Sequence, residues 1–299
     1  MIKIANAPCS WGALEFELEG KAAGFEQVLN EMKECGYAGT ELGDWGFMPT
    51  DPTALRAEMD KRDFQLLGAF VPVALKNREA HKPGADVAVR TASLMRDAGF
   101  PNAFIVLADE NGSIPQRTKN AGRVTQNMEL TSDEWKVYAE GADYVAREVK
   151  EKTGLRTVFH HHCGGYVETP FELDQLMKRT DPSLLGLVLD MGHYTFGGGD
   201  PLTALKIYRE RIWHVHFKDC QNEIAAESRA KQFDYFQSVS AGVFCELGKG
   251  SVDFPAITAE LKAMGYDGWI VVEQDVLPGM GNPKECAKRN REYIQSLGL

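Results

Sequence analysis

Imidazole side chains are concentrated in one part of this sequence. Six of the seven histidines fall between positions 160 and 216, and His160, His161 and His162 stand in a row at the end of an apolar run. A buried imidazole is costly unless it has a polar partner. Because neutral imidazole is also the commonest protein ligand for metal ions, this concentration indicates a metal centre or an acid–base site.

Carboxylates end two further apolar runs, at Asp190 in LLGLVLD and at Glu273 in GWIVVE, where an unpaired charge would be costly. Residues two apart on a strand share one side, so His160 and His162 face together while His161 points away and is expected to be a packing residue. In the run RIWHVHFKD, His214 and His216 also share a side. If the strand faces that carry these residues all point into the same interior, the imidazoles and carboxylates could together bind one divalent cation such as Mn²⁺, Co²⁺ or Zn²⁺.

The elements that must position these residues alternate along the chain. Eight short apolar runs, mostly continuous as in strands covered on both faces, recur about every thirty residues. They span 2–8, 39–43, 64–72, 102–108, 155–161, 184–192, 211–219 and 268–275. Helical patterns separate them, at 25–36, 51–63, 85–99, 132–152, 168–179, 201–210, 253–265 and 282–297. This alternation predicts a single (β/α)8 TIM barrel over residues 1–299. The alternative, an open doubly wound sheet, would normally carry a glycine-rich G-x-G-x-x-G turn, and NAPCSWG lacks one.

Two insertions interrupt the alternation, at about 109–130 and 219–252. Both follow predicted strands, so we expect them on the face where barrel active sites are built, as lids or subunit contacts. The second contains FDYFQSVSAGVF, which is too aromatic for a solvated linker.

Composition excludes several classes of function. The formal net charge of −10 argues against a nucleic-acid partner. No segment has the roughly 20 consecutive apolar residues of a membrane span, and the first residues do not resemble a secretory signal. The six cysteines show no C-x-x-C pair, which favours reduced thiols in a cytoplasmic protein.

Five motifs in order, NAPCSWG, FHHHCGG, LDMGH, HVHFKD and VVEQD, resemble those of the xylose-isomerase-like TIM-barrel superfamily, which comprises sugar phosphate isomerases and epimerases and the AP endonuclease family 2. The resemblance covers essentially the whole chain. The segments SAGVFCELGKGSVDF and NPKECAKRNREYI make the inosose (2-keto-myo-inositol) dehydratases the most similar subfamily. The resemblance implies four metal ligands, His160, Asp190, His216 and Glu273. His160 replaces the glutamate that the sugar epimerases use, which weakens the transfer of their mechanism.

The resemblance implies a metal-dependent lyase that dehydrates a cyclic polyol ketone. A base removes the proton α to the ketone, and the resulting enediolate expels the β-hydroxyl; a bound divalent cation, Mn²⁺ favoured over Co²⁺, Zn²⁺ or Mg²⁺, supplies Lewis acidity. His162 is the first candidate for the base and Lys218 the second, and His193 or Glu246 is the candidate acid. The expected substrate contacts are Trp11, Glu41, His193 and Lys218. Trp11 and Glu41 could equally be structural, Lys218 could instead pair with Asp219, and His214 is expected to support the metal ligands.

Other functions stay open at this point. The same intermediate would serve a sugar isomerase or epimerase, of the ketose 3-epimerase or hydroxypyruvate-isomerase type. A related lyase, an endonuclease-IV-like enzyme and a non-catalytic sugar-binding barrel are further alternatives, and the acidic charge disfavours the endonuclease. Only ELGKGS at 246–251 could cradle a phosphate, so we expect an unphosphorylated ketone or ketose as substrate. The aromatic insertion suggests a homo-oligomer, a dimer or a tetramer.

Overall fold

The computed structural model describes residues 2–12, 23–276 and 280–299. Within them, nine parallel strands form one sheet in the order β3-β2-β1-β11-β8-β7-β6-β5-β4. These strands are β1 (Lys3–Asn6), β2 (Gly39–Thr40), β3 (Gln65–Leu66), β4 (Gly68–Pro72), β5 (Phe104–Ala108), β6 (Arg156–His160), β7 (Leu185–Asp190), β8 (Ile212–Phe217) and β11 (Trp269–Val272). A separate antiparallel pair consists of β9 (Asp219–Cys220) and β10 (Phe244–Cys245).

The sheet closes on itself at Leu67, the single residue between β3 and β4. Its N–H donates to the Thr40 carbonyl of β2 at 2.9 Å, and its carbonyl accepts from the Phe104 N–H of β5 at 2.8 Å. The one predicted strand at 64–72 is therefore two short strands that join the ends of the sheet. The predicted TIM-barrel fold is confirmed.

Helices surround the barrel between successive strands, close to the predicted ranges. They are α1 (Phe25–Glu34), α2 (Pro52–Asp60), α3 (Arg78–Asp97), α4 (Pro115–Lys119), α5 (Ser132–Thr153), α6 (Pro170–Arg179), α7 (Met191–Phe196), α8 (Pro201–Ile207), α9 (Asn222–Lys231), α10 (Tyr235–Ser240), α11 (Phe254–Ala263) and α12 (Pro283–Ser296). Two 3₁₀ helices span Pro8–Trp11 and Gln126–Met128. Among the described residues, no helix combines the length and the hydrophobicity that a transmembrane span requires.

Local sequence explains where several of these helices begin. Capping boxes precede α5, through Thr131 and Glu134, and α6, through Thr169 and Glu172. Local sequence also explains the strands: β5 and β7 are mostly apolar, and all their residues are buried between the barrel core and the helices. Together these features hold the carboxyl ends of the strands, where the candidate site lies, on a rigid frame.

The insertion at 219–252 folds over the carboxyl end of the barrel. It contributes β9, α9, α10 and β10, and its buried residues form a small apolar cluster with Cys163 and Phe196. Tyr235 and Phe244 are buried in this cluster, within the chain itself. These two aromatic residues are therefore explained by packing inside the chain, and the expected homo-oligomer stays a prediction.

Candidate active site

Four metal-ligating side chains converge at the carboxyl ends of four neighbouring strands. His160 ends β6, Asp190 ends β7, His216 lies near the end of β8 and Glu273 directly follows β11. Each residue offers a ligand atom, and these atoms all lie within 4.8 Å of one another. His160 Nε2 is 3.7 Å from Asp190 Oδ2, and His216 Nδ1 is 3.9 Å from the same oxygen and 3.3 Å from Glu273 Oε1. The structure thus brings together the four predicted ligands.

The hydrogen bonding of this cluster fits a bound cation. His160 Nε2 and Asp190 Oδ2 are buried and have no hydrogen-bond partner among the described residues, and His216 Nδ1 has only its contact with Glu273 Oε1. Buried polar atoms without partners are rare because each costs about 1–3 kcal/mol. Nitrogen and carboxylate donors facing one point are the set that divalent transition metals accept. The four residues can therefore hold one divalent metal ion.

Surrounding hydrogen bonds fix the orientation of the ligands. His216 Nε2 donates to Glu41 Oε1 at 3.0 Å, which leaves Nδ1 turned toward the cluster, and His214 Nε2 donates to the same oxygen at 2.8 Å. Asp190 Oδ1 caps α7 by accepting from the His193 N–H at 2.7 Å, which leaves Oδ2 for the cluster. Partners of this kind typically set the tautomer and the basicity of a metal-bound histidine.

The electrostatics follow from these contacts. Burial works to raise the pKa of Glu41, but His216 and His214 outweigh it and hold that pKa at about 2. Burial lowers the pKa of His216, and the carboxylates of Glu273 and Glu41 reverse the effect and raise it well above its usual range. Glu41 is therefore ionised and acts as the common acceptor for both imidazoles.

A cavity opens above the cluster. The space not filled by atoms is about 640 Å³, and this volume includes open solvent at the mouth of the cavity. It is lined by Ala7, Pro8, Cys9, Glu41, Gly43, Asp44, Phe70, Val106, His160, His162, His216, Lys218, Tyr235, Glu273 and Asp275. Three of the four ligands thus face a space that a small substrate can enter.

His162 presents a basic nitrogen to this cavity. Its Nδ1 lies 2.7 Å from the Cys163 carbonyl oxygen, which can only accept, so Nδ1 carries the proton and Nε2 the lone pair. Burial, together with the nearby His160 and Lys218, lowers the pKa of His162 well below its usual range. The side chain is therefore neutral, with an unprotonated Nε2, and its role as base stays a prediction.

Lys218 lies between two carboxylates in the lining of the cavity. Its Nζ is 3.3 Å from Glu273 Oε2 and 3.3 Å from both carboxylate oxygens of Asp275. Burial alone lowers the pKa of Lys218, but Asp275, Glu273 and Asp190 reverse this and raise it well above the usual range. The lysine is held as a cation, which favours donation to a substrate oxygen over the role of second candidate base.

The alternative pairing of Lys218 with Asp219 is wrong. The Asp219 carboxylate instead accepts backbone N–H groups from Cys220, Gly248, Gly250 and Val252, at 2.8–3.1 Å. The possible phosphate cradle in ELGKGS is therefore occupied by a carboxylate of the chain itself.

Three other predicted residues lie away from the cavity lining. Trp11 is buried in the main apolar core and its indole N–H donates to Glu31 of α1 at 2.6 Å, so it packs against the helix layer. His193 is fully buried behind His162, with ring centroids 3.8 Å apart and Nε2 3.3 Å from Lys218 Nζ. Glu246 is ion-paired with Arg289 and Lys249. None of the three is among the described residues that line the cavity.

His161 and His214 take the supporting positions expected of them. His161 is buried, accepts the Asp190 N–H at 3.2 Å and packs edge-on against Tyr194, while burial lowers its pKa to about 3. His214 acts only through Glu41, as described above. Their neutral rings fill the strand faces beside the cluster.

Among the lining residues that the sequence did not predict are Asp275, beside Lys218, and Tyr235, beside His162. Asp275 comes two residues after Glu273, so alternation along the strand could have placed it on the same side. Tyr235 belongs to the insertion at 219–252 and begins α10, and no periodic pattern connects it to the barrel. Only the folded chain reveals that its hydroxyl lies 3.4 Å from His162 Nε2.

Comparison with known proteins agrees with this fold. The model of the family described as xylose isomerase-like TIM barrel matches residues 29–297, nearly the whole chain. The chain belongs to the xylose isomerase-like TIM-barrel family. It is also 34% identical over 295 residues to the inosose dehydratase of Geobacillus kaustophilus, covering 99% of this chain and 94% of that protein. The inosose dehydratase of Lacticaseibacillus casei is 32% identical over 298 residues, covering 99% and 97%.

Solved structures share the fold at lower sequence identity. An L-ribulose 3-epimerase superposes with a TM-score of 0.71 at 17% identity, covering 99% of this chain and 94% of that one. The probable 3-DHS dehydratase AsbF of Bacillus anthracis gives 0.68 at 16% identity, with 99% of both chains covered. The predicted resemblance to the inosose dehydratases is confirmed, and the chain is an enzyme of this family.

Proposed function

We propose that this enzyme is a metal-dependent hydro-lyase that removes one water from a cyclic polyol ketone, most specifically 2-keto-myo-inositol. The observation that carries the proposal is the four-ligand cluster, open to a cavity that also contains His162 and Lys218. Full-length similarity to inosose dehydratases at 32–34% identity supports the choice of substrate.

The metal ligands in this proposal are His160, Asp190, His216 and Glu273, with Mn²⁺ as the favoured ion. A divalent cation bound there would act as a Lewis acid toward the ketone, making the neighbouring C–H more acidic. Its ligands leave the rest of the cavity to the substrate.

The side chains of the cavity take complementary roles. His162 removes the α-proton through Nε2, because its other nitrogen is committed to the Cys163 carbonyl. Lys218, held as a cation by Glu273 and Asp275, donates to a substrate oxygen and stabilises the negative charge that develops there. Glu41 lines the same cavity and can accept from a ring hydroxyl.

The test uses the purified protein, stripped of metal, reloaded with Mn²⁺ and mixed with 2-keto-myo-inositol. We expect a metal-dependent rise in the ultraviolet absorbance of the diketone and a product lighter by one water. His160→Ala and Glu273→Gln should abolish the signal. Glu140→Gln is the matched control and should retain full activity. It changes an exposed carboxylate of α5 that is paired with Arg78 of α3.

The alternative of a sugar isomerase or epimerase uses the same cavity and base, and several solved structures with this fold are named as epimerases. It predicts deuterium uptake from D₂O into a free ketose with no loss of water. That result, with no diketone formed, would refute the dehydratase and support the epimerase. We also propose a cytoplasmic location and a small, unphosphorylated substrate.

A further inference from the structure

Loss of a hydroxyl group as water needs a proton donor, and the two acids predicted from the sequence are not in the cavity lining. His193 is fully buried behind His162, and Glu246 is paired with Arg289 and Lys249. We propose that Tyr235 is the catalytic acid and that it forms a proton relay with His162. This inference rests on the proposed dehydration.

The contact between the two side chains has a defined direction. The His162 Nδ1 proton is committed to the Cys163 carbonyl at 2.7 Å, so Nε2 has only a lone pair to offer. The Tyr235 hydroxyl, 3.4 Å from Nε2, is therefore the donor. The two atoms are close enough for a proton to pass between them, and a substrate bound beside them in the cavity could contact both.

The fold holds Tyr235 in this position. It is the first residue of α10, which begins with a capping box formed by Asp234 and Gln237, and it is 2% exposed. Its ring lies edge-on to His162 with centroids 5.4 Å apart and packs in the apolar cluster of the insertion. Gly164 lies against this ring, and a Cβ at that position would be 3.5 Å from the Tyr235 Cγ. A side chain so fixed can place its hydroxyl without further ordering.

The relay balances over one turnover. His162 Nε2 takes the α-proton, and the C–H electron pair becomes the carbon–carbon double bond of an enediolate. When the β C–O bond breaks, the phenolic proton of Tyr235 goes to the departing oxygen, which leaves as water. The resulting phenolate takes the Nε2 proton from the His162 imidazolium, and both residues return to their starting forms. The α-hydrogen and the β-hydroxyl together account for the water released.

The test compares Tyr235→Phe with the wild-type enzyme, both full length and Mn²⁺-loaded, in D₂O with 2-keto-myo-inositol. Wild type should dehydrate the ketone. In the variant we expect dehydration to fall by about 10²–10⁴-fold, the usual contribution of a general acid. The rate of deuterium uptake into recovered substrate, corrected for the enzyme-free rate, should stay within about tenfold of the wild-type rate, because His162 still removes the α-proton. Tyr138→Phe, which alters another fully buried tyrosine on α5, should match wild type.

A second substrate separates acid catalysis from simple packing. In the analogue with fluorine in place of the β-hydroxyl, fluoride leaves without a proton, so Tyr235→Phe should eliminate it within about tenfold of wild type. Equal loss of dehydration, exchange and fluoride release would show a structural role and overturn the relay, as would dehydration by Tyr235→Phe at the wild-type rate. If the wild-type enzyme itself does not dehydrate the ketone, the proposed function fails and the relay with it.

Discussion

The loop that contains His162 is held by a buried ion pair whose removal should be costly. Arg117, in the insertion at 109–130, pairs with Glu172 of α6, and both side chains are 0% exposed, with Nη1 and Oε1 2.8 Å apart. Its Nε also donates to the Gly165 carbonyl at 2.7 Å, within the segment that follows His162. The pair therefore connects the insertion to the loop that fixes the proposed base.

Replacing Arg117 by Met keeps much of the side-chain volume but leaves the Glu172 carboxylate buried without its cation. Breaking a buried pair in this way costs about 3–5 kcal/mol. We expect a cost at the lower end of this range, because Glu172 Oε2 still accepts hydrogen bonds from the N–H groups of Glu168 and Thr169. We therefore predict a loss of about 3 kcal/mol in the free energy of unfolding.

Equilibrium urea unfolding at fixed Mn²⁺ concentration measures this loss. Arg78→Met is the control, because its partner Glu140 and Arg78 itself are 43% and 62% exposed, and a surface pair contributes about 0–1 kcal/mol. Adding Glu172→Gln to Arg117→Met should recover part of the stability, because it removes the unpaired buried charge of the Glu172 carboxylate. A shift for Arg117→Met no larger than that of Arg78→Met would refute the reasoning.

Three further predictions concern the metal, the pH dependence and the packing of the site. Mn²⁺ at a hundred times its Kd should stabilise the fold by about 2.7 kcal/mol, and the increase should vanish in His160→Ala; an equal increase in that variant would place the metal elsewhere. Burial raises the pKa of Glu168 to about 7 from an unfolded value near 4.5, so its contribution to stability is full below pH 4.5 and is lost as the pH rises through 7. Between pH 5 and pH 8 this loss is about 2.5 kcal/mol. Glu168→Gln should lack it when urea midpoints at these two pH values are compared, and an unchanged pH difference would contradict the assignment. Finally, a Cβ on Gly192 would lie 2.6 Å from Lys218 Cγ, so Gly192→Ala should displace the lysine and lower kcat at least tenfold, whereas Gly24→Ala, with open space around its Cα and a φ of −68°, should leave kcat unchanged.

The strands of the barrel were predictable because both faces of each are covered. A continuous apolar run such as FIVLA in β5 carries that information locally. The helices were less sharply bounded. Helix α3 begins at Arg78, seven residues before the predicted start at 85, because the Asn77 side chain caps it and Pro83 is accommodated inside it. The short helices α4, α7, α9 and α10 depend on contacts with the barrel and were not predicted.

The ligand set of the candidate site was accessible to sequence reasoning, whereas its partners were not. Alternation along single strands put His160 on the same side as His162, and the family resemblance supplied the rest of the set. The bond from His214 to Glu41 joins residues 173 positions apart, and Tyr235 reaches His162 from an insertion 73 residues away. No local pattern encodes such contacts. Trp11 is a related case: the sequence left substrate contact and packing equally open, because it did not reveal Glu31 as a hydrogen-bond partner for the indole.

We propose that one metal ion at the four-ligand cluster makes this enzyme a dehydratase. The most direct test is to titrate the metal-free protein with Mn²⁺ while measuring bound metal and the rate of water loss from 2-keto-myo-inositol in the same samples. We predict that the rate rises in proportion to bound metal and reaches its plateau at one ion per chain, and that Glu273→Gln shows neither tight binding nor activity. Dehydration at full rate in the metal-free protein, or none at any level of bound metal, would contradict the account.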